Sequence, residues 1–284
     1  TRRSSDLTQL ESRDEIGDLP VDSAVRASQM TEFRAYCERH THLTLPDARS
    51  FHDFSVQEFR TFWKLFLEWS TIAVEGTSEP VCTDDRCEFA TFFPDLRLNY
   101  AENLLRIESR ADGERPAITV CTRSGVAERI SRRELRHRVA RLAAELHRLE
   151  VAPGDRVVAV VRNTSEAVVA ALATAAVGAT FSSATPEMGT SAILSRFQQL
   201  SPKVLIAHLS APGGAKDDRV TQRIAEVACD LPSVQAMIAL DEGDRPAGFE
   251  AAFVRLPDIL AKSSAPDSWK AEWPRFPFNH PLFI

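Results

Sequence analysis

The sequence predicts an α/β protein in which a helical N-terminal cap precedes a doubly wound parallel sheet. Two observations after Pro116 carry the sheet: apolar strand-like runs alternate with amphipathic helical stretches, and the run Arg156-Val157-Val158-Ala159-Val160-Val161 is apolar almost throughout. A strand of that kind is covered on both faces, as parallel strands are. The cap rests on a third observation. Phe59, Phe62, Trp63 and Phe66 recur at helical spacing behind Ser55-Val56-Gln57-Glu58, which reads as a capping box.

Residues 1 to about 30 are polar, alternate in charge and lack aromatics, so they are expected to form a flexible tail or linker. The aromatic stripe that follows reads as core. Pro94-Asp95 marks a turn, and Leu104-Leu105 is expected to start a second short helix, which makes residues 31–105 a mostly helical cap.

Residues 106–284 are expected to form the sheet domain. Ile118–Cys121 and Val126–Ile130 flank Ser124-Gly125 as a hairpin. Ser131-Arg132-Arg133-Glu134 is a second capping box, and Leu135, Val139, Leu142, Leu146 and Leu149 share one face of the helix behind it. Pro153-Gly154-Asp155 turns the chain into the apolar strand. Helices are then predicted over 166–177, 191–200 and 220–229, with strands over 180–183, 203–207 and 236–240. This βαβαβαβ succession implies right-handed crossovers. The segment 241–273 reads as a long surface loop with one turn near Leu256–Leu260.

Composition narrows function by exclusion. A net charge of −6 argues against a nucleic-acid surface, which needs a basic face to displace counterions. Five scattered cysteines fit free thiols, and Cys82 and Cys87 lack the second pair a zinc site needs. The alanine-rich stretch 167–180 is too short to cross a bilayer and reads as a buried helix. No secretion signal is visible, so the expected location is the cytoplasm.

Motifs exclude more than they assign. The turn Arg162-Asn163-Thr164-Ser165-Glu166 has no glycine fingerprint, and Ala211-Pro212-Gly213-Gly214-Ala215-Lys216 lacks the spacing and hydroxyl of a Walker loop. Seven histidines form no helix-spaced metal pair, and no Gly-x-Ser-x-Gly is present. Arg129, Arg132, Arg133, Arg136, Arg138 and Arg141 alternate with acids and read as a solvated helix face. From the residues alone no catalytic site and no metal site can be assembled.

Several segments nevertheless carry a resemblance. Phe92-Phe93-Pro94-Asp95-Leu96-Arg97-Leu98-Asn99-Tyr100-Ala101-Glu102-Asn103-Leu104-Leu105 resembles the entry segment of acetyl-CoA and acetoacetyl-CoA synthetases. Pro153-Gly154-Asp155-Arg156-Val157, with Ala175-Ala176-Val177-Gly178-Ala179, resembles the first Rossmann-like unit of AMP-forming acyl-CoA synthetases. Phe276-Pro277-Phe278-Asn279-His280-Pro281-Leu282-Phe283-Ile284 is similar to the strand that leads into that family's phosphate-binding loop. Ser182-Ser183-Ala184-Thr185-Pro186-Glu187-Met188-Gly189 is closer to the acetoacetate enzymes, since acetate enzymes carry a Phe-Gly-Gly turn there.

The resemblance implies the first part of an adenylate-forming domain. The reaction implied for the complete enzyme joins acetoacetate to CoA at the expense of ATP, with Mg2+, AMP and pyrophosphate involved and a C-terminal half as the missing partner. No catalytic residue is carried over. A CoA approach is implied at Pro186 and Glu187 and at Gly213, Gly214 and Lys216, although the family's arginine pattern in the latter loop is not reproduced. The alternative is a non-catalytic binding or assembly module with a degenerate ligase fold. The apolar end Pro281-Leu282-Phe283-Ile284 reads as a strand without a partner, as in a chain cut in mid-fold, and predicts an open edge and poor solubility.

Overall fold

The computed structural model describes residues 28–86, 88–122, 125–210, 218–262 and 273–284. They fall into two compact units, divided between Ile72 and Ala73. The expected tail lies almost wholly outside the described residues.

The first unit packs three helices, α1 (Gln29–Thr41), α2 (Ala48–Gln57) and α3 (Phe59–Ser70), around Phe33. That ring lies 5.4 Å from both Phe62 and Phe66 and 5.9 Å from Phe51, edge to face in each case. Of the aromatic stripe, Phe62 and Phe66 pack against this core as their spacing implies, whereas Phe59 is half-buried outside the cluster and Trp63 is 39% exposed. The capping box sits elsewhere: Asp47 and Ser50 cap α2 reciprocally, while Ser55 lies inside that helix and donates to the His52 carbonyl at 2.7 Å. Glu58 precedes α3 without a side-chain cap. The backbone breaks at Glu58, between two stretches that each have apolar residues to bury.

The second unit opens with short strands β1 (Glu75–Gly76) and β2 (Leu96–Leu98), then α4 (Tyr100–Leu104) and α5 (Arg110–Glu114). Leu104 ends a helix rather than starting one, because Asn99 accepts from the Glu102 N–H and caps its beginning. Strands β3 (Pro116–Thr122) and β4 (Gly125–Ser131) form the expected antiparallel hairpin, and α6 (Arg132–Arg148) follows with Ser131 as its N-cap.

Next come β5 (Arg156–Val160), α7 (Ser165–Ala176), β6 (Thr180–Ala184), α8 (Thr190–Phe197), β7 (Val204–Ala207), α9 (Asp218–Cys229), β8 (Ala236–Ala239), β9 (Ala252–Arg255) and α10 (Leu256–Ala261). The sheet is parallel in every pair, in the order β6-β5-β7-β8-β9. Val157 and Ala159 of β5 join a core with α6, α7 and α10, while Val158 and Val160 join another with α8 and α9. All four are fully buried, so the apolar run is explained by helices on both faces.

Strand β9 lies within the segment read as a surface loop. Its residues are exposed or half-buried, and charge and glycine surround it, so no apolar alternation announces it. The arginines of α6 also depart from expectation. Arg141 is buried and donates to the carbonyls of Ile259 and Lys262, and Arg136 donates to Leu105 O at 3.0 Å. They tie α6 to its neighbours because guanidinium groups satisfy carbonyls left open at element ends.

The final run finds a partner as well. Phe181 N–H donates to Leu282 O at 2.9 Å and Ile284 N–H to Phe181 O at 3.1 Å, a parallel bridge on the free edge of β6. Phe283 and Ile284 are 52% and 65% exposed. Just before this run, β10 (Phe276–Pro277) pairs with β2, and Arg275 meets the Glu102 carboxylate through two hydrogen bonds of 3.1 and 3.2 Å.

Asn99 holds this region together. It is fully buried, and its amide nitrogen donates to Ala176 O at 3.0 Å and Pro274 O at 2.8 Å. Gly178, beside the end of α7, has φ +77°, and a Cβ there would lie 2.2 Å from the Phe276 ring. Asn99→Ala would remove an N-cap, strand the buried Ala176 carbonyl and release the Pro274 carbonyl. It is expected to cost about 2–4 kcal/mol in urea unfolding, and Gly178→Ala about 2–3 kcal/mol through strain and overpacking.

Candidate functional site

Strand order locates the candidate site. In chain order the sheet runs second, first, third, fourth, fifth, so the connection from β5 runs one way to β6 and the connection from β6 runs back past β5 to β7. An open parallel sheet has its ligand crevice outside the carboxyl ends at such a reversal. Here that crevice is walled by residues 161–165 after β5, 185–189 after β6, 208–210 after β7 and 240–243 after β8.

His208 joins two of these walls. It is 2% exposed, and its Nδ1 accepts from the Arg162 backbone N–H at 3.2 Å, so the neutral ring carries its proton on Nε2, which faces Thr164 Oγ1 at 3.3 Å. Burial, reinforced by the Arg162 charge, pushes its pKa down to about 4. This imidazole is a structural base that stays neutral.

Asp241 ties in the next wall. Its carboxylate accepts from the backbone N–H groups of Leu209 at 3.1 Å, Ser210 at 2.9 Å and Gly243 at 3.2 Å. A side chain at position 243 would place its Cβ 2.3 Å from Leu209 Cβ, so the close turn requires glycine. Arg162 completes the cluster, with Nη1 donating to Ser210 O at 2.5 Å and Nη2 3.5 Å from the Asp241 carboxylate.

At the start of α7, Ser165 Oγ donates to Glu128 Oε2 at 2.9 Å, and Arg138 approaches Glu128 at 3.3 Å. Glu128 thus sets a carboxylate of the β3–β4 hairpin against the positive end of α7. In many doubly wound proteins a phosphate takes that position.

Pro186 is buried and Glu187 exposed, just beyond β6. The pKa of Glu187 is lowered, first by its own backbone N–H, then by the Thr185 hydroxyl and the charges of Arg162 and Arg223. Gly213, Gly214 and Lys216 lie outside the described residues. The sequence reading missed Arg162, His208 and Asp241. The signal was their place, each one or two residues past the carboxyl end of a strand, and not their type.

Two hollows lie away from this crevice. An apolar groove of about 570 Å3 in the first unit is lined by Met30, Phe33, Phe51 and Trp63, and a hollow of about 600 Å3 runs along α9 past Glu226 and Cys229. Neither gathers convergent chemistry. Among the described residues no three His, Cys, Asp or Glu side chains could hold a metal, and no helix is long and apolar enough to cross a membrane.

Because His208 loses its proton more readily folded than unfolded, the unfolded chain binds more protons between about pH 6.5 and pH 4. Stability is therefore present above that window and lost as pH falls through it. The expected slope from this residue is about 1 kcal/mol per pH unit in urea titrations, and His208→Gln should remove that part of the slope.

A family model described as AMP-binding enzyme matches residues 106–270. Acetoacetyl-coenzyme A synthetase of Rhizobium meliloti (strain 1021) is 34% identical over 268 residues, covering 94% of this chain and 40% of that protein. Acetoacetyl-CoA synthetase of Mus musculus is 31% identical over 99% of this chain and 43% of its own length. The solved structure of acetoacetyl-CoA synthetase from Streptomyces lividans superposes with a TM-score of 0.77 at 34% identity, over 92% of this chain and 39% of that one. The chain thus spans about two fifths of the length of the relatives it matches.

Proposed function

The chain belongs to the AMP-binding enzyme family, and on that premise we propose that it is the N-terminal part of an ATP-dependent acyl-CoA ligase that acts on acetoacetate. The overall reaction of the complete enzyme would be acetoacetate, ATP and CoA to acetoacetyl-CoA, AMP and pyrophosphate. The observation that carries this reading is the 34% identity to an acetoacetyl-CoA synthetase across 94% of the chain. Residues 31–105 would form the helical cap of such an enzyme and residues 106–284 the first part of its AMP-binding domain, acting in the cytoplasm.

Adenylation requires a cradle of amides, hydroxyls and cations for the leaving pyrophosphate. The described residues do not assemble one, nor a site for Mg2+. The approach of CoA would lie at the turn of Pro186 and Glu187, where the Pro186 carbonyl accepts from Arg223 Nη1. ATP and Mg2+ would be held by the remainder of the ligase.

Two measurements test the reading. Residues 1–284 alone should give no acetoacetate-dependent exchange of pyrophosphate into ATP. Joined to the remaining three fifths of the Rhizobium relative, they should form acetoacetyl-CoA in preference to acetyl-CoA. Exchange by the 284-residue chain would place the chemistry within it, and acetate preference in the joined protein would overturn the substrate.

A further inference from the structure

The groove of the first unit gathers no reacting groups, but its walls are almost wholly apolar and its volume of about 570 Å3 falls in the range of small-molecule sites. Phe33, Phe51, Phe62 and Phe66 line it together with Met30 and Trp63, and the last two are exposed. An aromatic wall open to water gains by taking up an apolar body.

Arg34 interrupts that wall. It is half-buried, and among the described residues no other Lys or Arg lines the groove. Its Nε is buried without a hydrogen-bond partner, and among the described residues the guanidinium forms no ion pair within 4 Å. Asp47 is near enough for the Arg34 charge to help lower its pKa, but that carboxylate caps α2 and accepts from the Ser50 N–H at 2.8 Å. The other polar side chains on the groove are mostly spent on local bonds. Ser28 and Thr31 share a hydrogen bond of 3.1 Å and Ser55 donates to the His52 carbonyl, which leaves the exposed His52 ring as a second donor. A guanidinium edge that has lost water and found no acceptor favours an entering oxygen anion.

These features define a ligand class. One cation balances one negative charge, its planar fork matches a carboxylate, and the aromatic walls match an apolar body. We propose that the groove is a binding site for a monocarboxylate with a long apolar tail, of the fatty-acid class, whose carboxylate pairs with Arg34 and whose tail lies against Phe33, Phe51, Phe62 and Phe66. The site belongs to the helical unit and does not rest on the ligase reading.

Calorimetric titration of the 284-residue chain with dodecanoate tests this, with dodecyltrimethylammonium as a probe of like tail and opposite charge. The parent is expected to bind dodecanoate below millimolar concentration and to prefer it to the cation. Arg34→Gln should weaken dodecanoate about tenfold and leave the cation no weaker. Met30→Glu, at an exposed position, adds a like charge and removes apolar contact, so it should weaken dodecanoate about threefold. Arg34→Met removes an unpaired buried donor, and its urea midpoint should be no lower than that of the parent, which separates loss of the site from loss of fold. Failure of the parent to bind dodecanoate below millimolar concentration would overturn the site. So would affinities unchanged by both Arg34→Gln and Met30→Glu, and equal binding of the two probes would overturn the carboxylate class.

Discussion

A single buried carboxamide, that of Asn99, is the contact on which the sheet unit's closure depends. It caps α4 with its oxygen and reaches the end of α7 and the returning segment at Pro274 with its nitrogen. A buried amide must satisfy both its ends. Asn99 does so by fixing three stretches that the chain separates widely. The Arg275–Glu102 pair and the His280 ring, whose Nε2 lies 2.7 Å from Gly178 O, then seat the same segment against the edge of β6. Glycine is needed at position 178 because the Phe276 ring occupies the space a side chain would take.

The crevice depends on the same logic of filled valences. His208, Asp241 and Arg162 bind one another's backbone as much as one another's charge, so the ends of β5, β7 and β8 are held at fixed spacing. The start of α7 is neutralised internally by Glu128, by way of Ser165.

The alternation of strands and helices from 116 to 240 was legible because buried parallel strands leave unbroken apolar runs, as in Val157–Val160 and Val204–Ala207. Strand β9 was not legible, since Ala252 and Phe253 sit at a sheet edge where exposure erases the pattern. Capping was legible at one of the two boxes. Ser131 accepts from the Glu134 N–H and caps its helix, whereas Ser55 lies inside a helix already begun at Asp47 and turns its hydroxyl back on the His52 carbonyl. The candidate site was hardly legible at all. A lone histidine and an arginine in a glycine-free turn carry no motif, and their meaning came from strand order, which places them side by side across 46 residues of sequence. The basic face of α6 misled for a related reason: composition shows charge but not the carbonyls that await it.

The Asn99 junction also bears on how the molecule assembles. Its bonds to Ala176 and Pro274 span 77 and 175 residues, and that of His280 to Gly178 spans 102, whereas β5 finds β6 across a single helix. Closing long loops costs entropy that local pairing avoids. The β5–α7–β6 unit can therefore form early on its own contacts, and the returning segment must wait until both the end of α7 and the capped start of α4 are in place. Asn99 thus serves as a checkpoint in time: the sheet edge at β6 is lined only after the chain that precedes it has already found its shape.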